Sequence, residues 1–255
     1  MNNIQETLLF PVRDAEARKQ FFFACLVMLA AFVIPILPTF LIMGYGVKIM
    51  RQIIDERKKP SMPAWQGIDW AETFIDGIKL YGVQLVFMLP LFLLMGCGFI
   101  SFFGGSFGLS ALADESTRSF ASFGMIFMFI GAAFFMLFSI LSLPYAIIVN
   151  AVAPHVATKR SFSAGFEFKE WWAIFLKAIG QFLLAYALSF IVSFAFIIVM
   201  QIAMMTLILM CIVPFLMIPY SVYVMLMTNT LTAQAYLAGR DALEAEAQKA
   251  IVEPV

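Results

Sequence analysis

Four stretches of this chain contain no Asp, Glu, Lys or Arg: residues 20–47, 80–113, 119–158 and 178–239. A membrane-spanning helix needs about 20 apolar residues, and every one of these stretches is longer. The last is 62 residues long; as a single helix it would reach about 93 Å at 1.5 Å per residue. It must therefore fold back at least once. Composition agrees with a lipid solvent: 63% of residues are hydrophobic and 13% are charged, against about 25% charged in soluble domains.

The formal net charge is zero, and no basic segment of domain size offers a nucleic-acid surface, so no nucleic-acid partner is expected. The 3 cysteines, Cys25, Cys97 and Cys211, sit far apart inside apolar runs. Their spacing fits no metal pattern, and they read as small buried hydrophobes. The first apolar run is longer than a signal-peptide core and holds Pro35 and Pro38. Its leader carries acidic and basic residues equally, so a retained membrane segment is expected.

Residues 1–20 form a polar N-terminal segment leading into a helix that begins near Ala15. The prolines at 35 and 38 break that helix, and it resumes from Thr39 until Lys48 and Arg51. One kinked span and a hairpin of two short helices both fit. The leading basic residues Arg13, Arg18 and Lys19 favour the hairpin. A span over 80–103 ends in glycines, of which Gly104 and Gly108 read either as turn residues or as a small-residue helix contact. Residues 120–153 form the next span, with Pro144 inside it, and the final run splits near 201–206. Placing 48–79, 155–177 and both termini on one side gathers 15 of 16 Lys and Arg there, leaving Arg118 opposite. By the positive-inside bias that side is the cytoplasm. The expected protein is all-α: one polytopic integral membrane domain over 1–255, with about six membrane segments. Its polar parts are cytoplasmic stretches at 48–79 and 155–177 and a helical C-terminal tail at 240–255.

A repeat runs through the second half. LPYAIIV from Leu143 matches IPYSVYV from Ile218, an offset of 75 residues. Downstream, Thr158, Phe162, Ala164, Gly165, Glu167 and Glu170 are echoed by Thr232, Tyr236, Ala238, Gly239, Asp241 and Glu244, an offset of 74. Pro38 with Gly44 and Tyr45 opens a weaker third copy. The pattern implies parallel repeats of a helical hairpin whose second helix carries a proline.

The polar stretch at 48–79 is where a ligand or partner would be met. Residues 68–79 read as an interfacial helix, with Ile68, Phe74, Ile75 and Ile78 on the apolar side and Glu72, Asp76 and Lys79 opposite. Asp69 sits where a cap is needed, three residues before Glu72. Trp65 and Trp70 suit the headgroup level. With Lys48, Arg51, Arg57, Lys58 and Lys59 they form a candidate site for anionic lipid headgroups, each cation contributing about 1 kcal/mol near a charged leaflet; topology anchoring alone is the plainer reading. An acidic face of Asp69, Glu72 and Asp76 reads as solvated rather than metal-binding. His155, the sole histidine, reads as a surface or capping group. No metal, cofactor or catalytic constellation is expected. The apolar runs hold no charge, which disfavours an ion-coupled pump. Their uncharged polar groups, Asn150, Gln181 and Asn229 above all, read as contacts between helices.

The segment LLFPVRD, the Gly44-Tyr45 helix exit, Pro63 with Trp65 and Trp70, and Phe74 with Asp76, Gly77, Ile78 and Lys79 together resemble the prokaryotic multi-pass membrane family catalogued as domain of unknown function 4013. The FEFKEWW segment and the terminal Thr-x-x-x-Tyr pattern extend the resemblance over nearly the whole chain. It implies an architecture and no activity. The expected role is non-enzymatic: a scaffold or accessory subunit of the inner membrane packing against another membrane protein or itself, with a lipid-handling or small-solute carrier as the alternative. A carrier should collect Asn150, Gln181 and Asn229 on one internal wall; a scaffold should leave them apart.

Overall fold

A computed structural model describes residues 4–110, 118–205 and 212–252, and among these every regular element is helical. In order they are α1 (Ile4–Leu9), α2 (Ala15–Leu29) with a 3-10 turn at Ala30–Phe32, α3 (Leu37–Ile54), α4 (Trp70–Ser110), α5 (Arg118–Lys159), α6 (Phe168–Lys177), α7 (Ile179–Met204) and α8 (Val213–Val252). Four helical stretches are long and apolar enough to cross a membrane: Trp70–Phe107, Phe123–Lys159, Ile179–Met204 and Val213–Lys249. The protein is a helical membrane protein, with four such helices among the described residues rather than about six.

The difference lies in α2 and α3, which form a hairpin of short helices. Asp14 caps α2 by accepting from the Ala17 N–H at 2.8 Å, and that bond holds the Asp14 carboxyl below its ordinary pKa. The turn passes through Ile36, whose φ of 78° places a β-branched residue in the left-handed region, and Pro38 then opens α3. Trp65 ties the two helices together. Its backbone and indole N–H groups both donate to Gln20 near the start of α2, at 3.0 Å each. Its ring stacks on Tyr45, midway along α3, at 4.3 Å and 3°. The apolar stretch at 21–34, which runs from α2 through the 3-10 turn, reaches only about 20 Å at 1.5 Å per residue, short of a hydrocarbon core of about 30 Å.

The chain divides into two compact units, residues 1–83 with 150–255 and residues 84–149. In the first, α8 is the axis on which α2, α3, α6 and α7 pack, burying Leu226, Met227 and Leu231 completely. The crossing of α3 and α4 is a backbone contact. A Cβ on Gly44 would meet the Thr73 carbonyl, and one on Gly77 would meet the Phe40 carbonyl. The second unit is a two-helix zipper of α4 and α5 segments. Gly131 lies against the Phe102 backbone, Gly105 against the Gly124 carbonyl and Met128, and Phe99 meets Phe135 edge-on at 5.2 Å. The glycines at 104 and 105 therefore lie inside a helix that runs on to Ser110, not at the end of a span. The charged residues Asp114 and Glu115, and Cys211, lie outside the described residues.

The expected interfacial helix at 68–79 is the first turns of α4 itself. Asp69 is its cap, accepting from the Glu72 N–H at 3.0 Å. The buried face, however, is Thr73, Asp76, Gly77 and Leu80, while Ile75 and Ile78 are exposed. The outward Ile75 and Ile78 suit a side that meets lipid, as an interfacial helix requires, while small or paired polar groups make the helix contact, and Asp76 leaves the expected polar side. The split in the final run falls as expected, with α7 ending at Met204.

Candidate functional site

The residues where α3 ends build a polar cleft. The carbonyl of Ile54 accepts from Arg240 of α8 at 2.7 Å, a cation at a helix C-terminus where the dipole favours it. The chain then turns through Arg57, whose φ of 52° is left-handed. Arg57 grips Asp241 with two nitrogens, at 2.7 and 3.1 Å, and Lys59 reaches Glu6 of α1 at 3.2 Å. These pairs draw the 55–60 loop across the ends of α1 and α8. Beneath it lies a cleft of about 720 Å³ lined by Arg57, Lys58, Lys59, Thr7, Gln181 and Gln234, among others.

Thr7 and Gln234 hydrogen-bond each other across the wall at 3.0 Å. Gln181 differs: its Oε1 is buried and has no hydrogen-bond partner among the described residues. An unsatisfied buried acceptor costs about 1–3 kcal/mol, so a donor placed in the cleft would be held there. A separate apolar groove of about 520 Å³ is lined by Arg18, Phe21, Phe22, Cys25, Leu26 and Leu29 of α2 with Pro219 of α8.

The sequence-expected headgroup residues divide. Arg57, Lys58 and Lys59 share the cleft. Arg51 does not join them: it is buried, pairs with Asp76 at 2.5 Å, and donates to the Ala157 carbonyl at 2.7 Å. Burial of a guanidinium requires such partners, and Arg51 thereby joins α3, α4 and the end of α5. Asp76 is accordingly not part of a solvated acidic face. Trp65 is also buried, inside the α2–α3 hairpin, whereas Trp70 is exposed and stacks beside it at 5.5 Å. Lys48 is partly buried on α3. Of the three uncharged polar residues only Gln181 lines the cleft; Asn229 presses its amide on Gly46 where α8 meets α3, and Asn150 lies on α5.

His155 is the other departure. It is wholly buried rather than a surface group. Its Nδ1 lies 2.8 Å from the Tyr236 hydroxyl and its Nε2 lies 3.3 Å from Glu167 and 3.9 Å from Glu170. Lys159 meets Glu170 at 2.8 Å and Glu167 at 3.6 Å; its hydrogen bond and charge hold the Glu170 carboxyl below its ordinary value. The repeat carried a signal for both clusters. Glu167 beside His155 and Asp241 beside Arg57 occupy equivalent repeat positions, and nothing in composition singled them out.

A family model described as "Protein of unknown function (DUF4013)" matches residues 27–208. No curated protein and no solved structure matches the chain.

Proposed function

The chain belongs to the DUF4013 family of proteins of unknown function, and from that premise we propose that it is a non-enzymatic, lipid-handling protein of the cytoplasmic membrane that holds a phosphate-bearing headgroup in the cleft under the 55–60 loop. The observation that carries this reading is the cleft's composition. Three cations, Arg57, Lys58 and Lys59, line it together with neutral hydrogen-bonding groups, Thr7, Gln181 and Gln234, and two carboxylates, Glu6 and Asp241, in about 720 Å³. Arg57 offers a planar fork suited to phosphate oxygens. Glu6 and Asp241, which now hold Lys59 and Arg57, would meet the ammonium of a zwitterionic head. Orientation follows from the cations: with this face cytoplasmic, both termini lie on the same side and the positive-inside bias is met.

A second reading, an accessory subunit packed on another membrane protein or on itself, is favoured by the 84–149 unit. Its large apolar side chains, among them Phe92, Leu93, Ile100, Phe129 and Met136, are exposed, and lipid or a partner helix could cover them equally.

Gentle detergent extraction followed by native mass spectrometry separates the two. Retained phospholipid that falls at least about tenfold in the Arg57→Gln, Lys58→Gln, Lys59→Gln variant supports headgroup binding. Retention unchanged by those substitutions, or a stoichiometric protein partner with no bound lipid, overturns it in favour of the accessory role.

A further inference from the structure

Three electron-pair donors converge where α5 ends and α6 begins. The Nε2 of His155 and one carboxylate oxygen each from Glu167 and Glu170 lie within 4.8 Å of one another. The imidazole is fully enclosed, its side chain 1% exposed, so its direction is fixed by packing rather than by chance on a surface. The Tyr236 hydroxyl engages the other ring nitrogen at 2.8 Å. When Nδ1–H donates to that hydroxyl, Nε2 presents a bare lone pair to two carboxylates. Such an arrangement calls for a cation among the three donors, and Lys159 supplies one from the side, through its contacts with the two carboxylates.

We propose that His155, Glu167 and Glu170 form a binding site for a divalent transition-metal ion of the zinc class, with the Lys159 ammonium as its displaceable counter-ion. The donor set selects the class. Calcium and magnesium take oxygen ligands almost alone, whereas an imidazole beside carboxylates suits zinc and its neighbours. Geometry is close to what that ion needs. At metal–ligand distances of about 2.0–2.2 Å, tetrahedral donors stand about 3.4 Å apart. The His155–Glu167 separation of 3.3 Å already meets this, and the 3.9 Å to Glu170 closes by a rotation of an exposed side chain. Glu167 immediately precedes α6 and Glu170 lies in its first turn, so both project from one helix end. Tyr236 plays the outer-sphere part, orienting the imidazole as ligating histidines require. A bound ion would join the end of α5 to the start of α6 and, through Tyr236, to α8.

The test uses the full chain in detergent with any polyhistidine tag removed, since His155 is the only histidine. Zinc is titrated against a chromophoric chelator, and cobalt is added separately for its visible absorption bands. One saturable zinc site per chain is expected. The Glu167→Gln, Glu170→Gln double variant should lose at least about tenfold in affinity. Glu170 is exposed and Glu167 half-buried, so it should keep its helical circular dichroism. Tyr236→Phe should weaken binding by about 10-fold or more, and Lys159→Met should bind zinc at least as tightly as the parent. The proposal is overturned by absent saturable binding, by binding that survives the double glutamine change, or by binding abolished on cysteine alkylation alone. Neutralising Arg57, Lys58 and Lys59 should leave zinc affinity unchanged, which keeps this site separate from the headgroup cleft.

Discussion

Arg51 and Asp76 show how single residues decide this fold. Each would be an expensive charge in the interior alone; together, with the Ala157 carbonyl accepting a further guanidinium proton, they hold three helices in register. Removing one partner strands the other. Arg51→Ala or Asp76→Ala is therefore expected to cost about 3–5 kcal/mol, while a joint Arg51→Met, Asp76→Leu replacement should restore much of that loss. Thermal unfolding in detergent reads both outcomes, and a single variant as stable as the parent would refute the structural role given to the pair. From the sequence, Arg51 was legible only as a basic residue leaving the membrane. Its partner lies 25 positions away, and helical periodicity carries no information across that gap. Trp65 was misplaced for the same reason: an indole suits a headgroup layer, but Gln20 and Tyr45 provide two hydrogen bonds and a stacked ring that draw it inside.

At the scale of elements, breaks were easier to read than faces. Pro35 and Pro38 mark the turn of the α2–α3 hairpin, Asp69 marks the start of α4, and the long final run divides where α7 ends. These are local signals of backbone chemistry. The inward face of α4 is a different matter, because lipid and protein interior are both apolar and hydrophobicity cannot tell them apart. Small residues can. Gly44 and Gly77 allow backbone to meet backbone where α3 crosses α4, with the Thr73 and Phe40 carbonyls occupying the space a Cβ would need. Gly77→Ala should force the helices apart and destabilise the protein by about 1–3 kcal/mol, the range for overpacking. Gly46→Ala should cost less, since it meets the Asn229 side chain, which can swing away. A ranking with Gly46→Ala the more damaging, by detergent melting curves, would contradict the rigid crossing described for α3 and α4.

For the molecule as a whole, sidedness connects the cleft to any function. Lys59 binds Glu6 of α1, and Arg57 binds Asp241 of α8, so the 55–60 loop, the N-terminal helix and the Asp241 turn of α8 share one face of the 1–83 and 150–255 unit. The count of spans explains why this is self-consistent. Four crossing helices would return the chain to the side where it began, and the α2–α3 hairpin, too short to cross, would leave that parity unchanged. The charge distribution, with Arg118 set apart from the other cations, favoured an even count, and the number of spans was overcounted by treating each apolar run of α2 and α3 as a crossing. The consequence can be measured in a cysteine-free background. With Ser61→Cys on the cleft face, a membrane-impermeant maleimide should label only after cells are permeabilised. With Ser116→Cys in the segment joining α4 and α5, it should label intact cells. Labelling of both from the same side would break the four-helix topology. Labelling with the two sides exchanged would preserve the topology but turn the Arg57, Lys58 and Lys59 cleft away from the leaflet richest in anionic lipid, and the headgroup reading would lose its electrostatic basis.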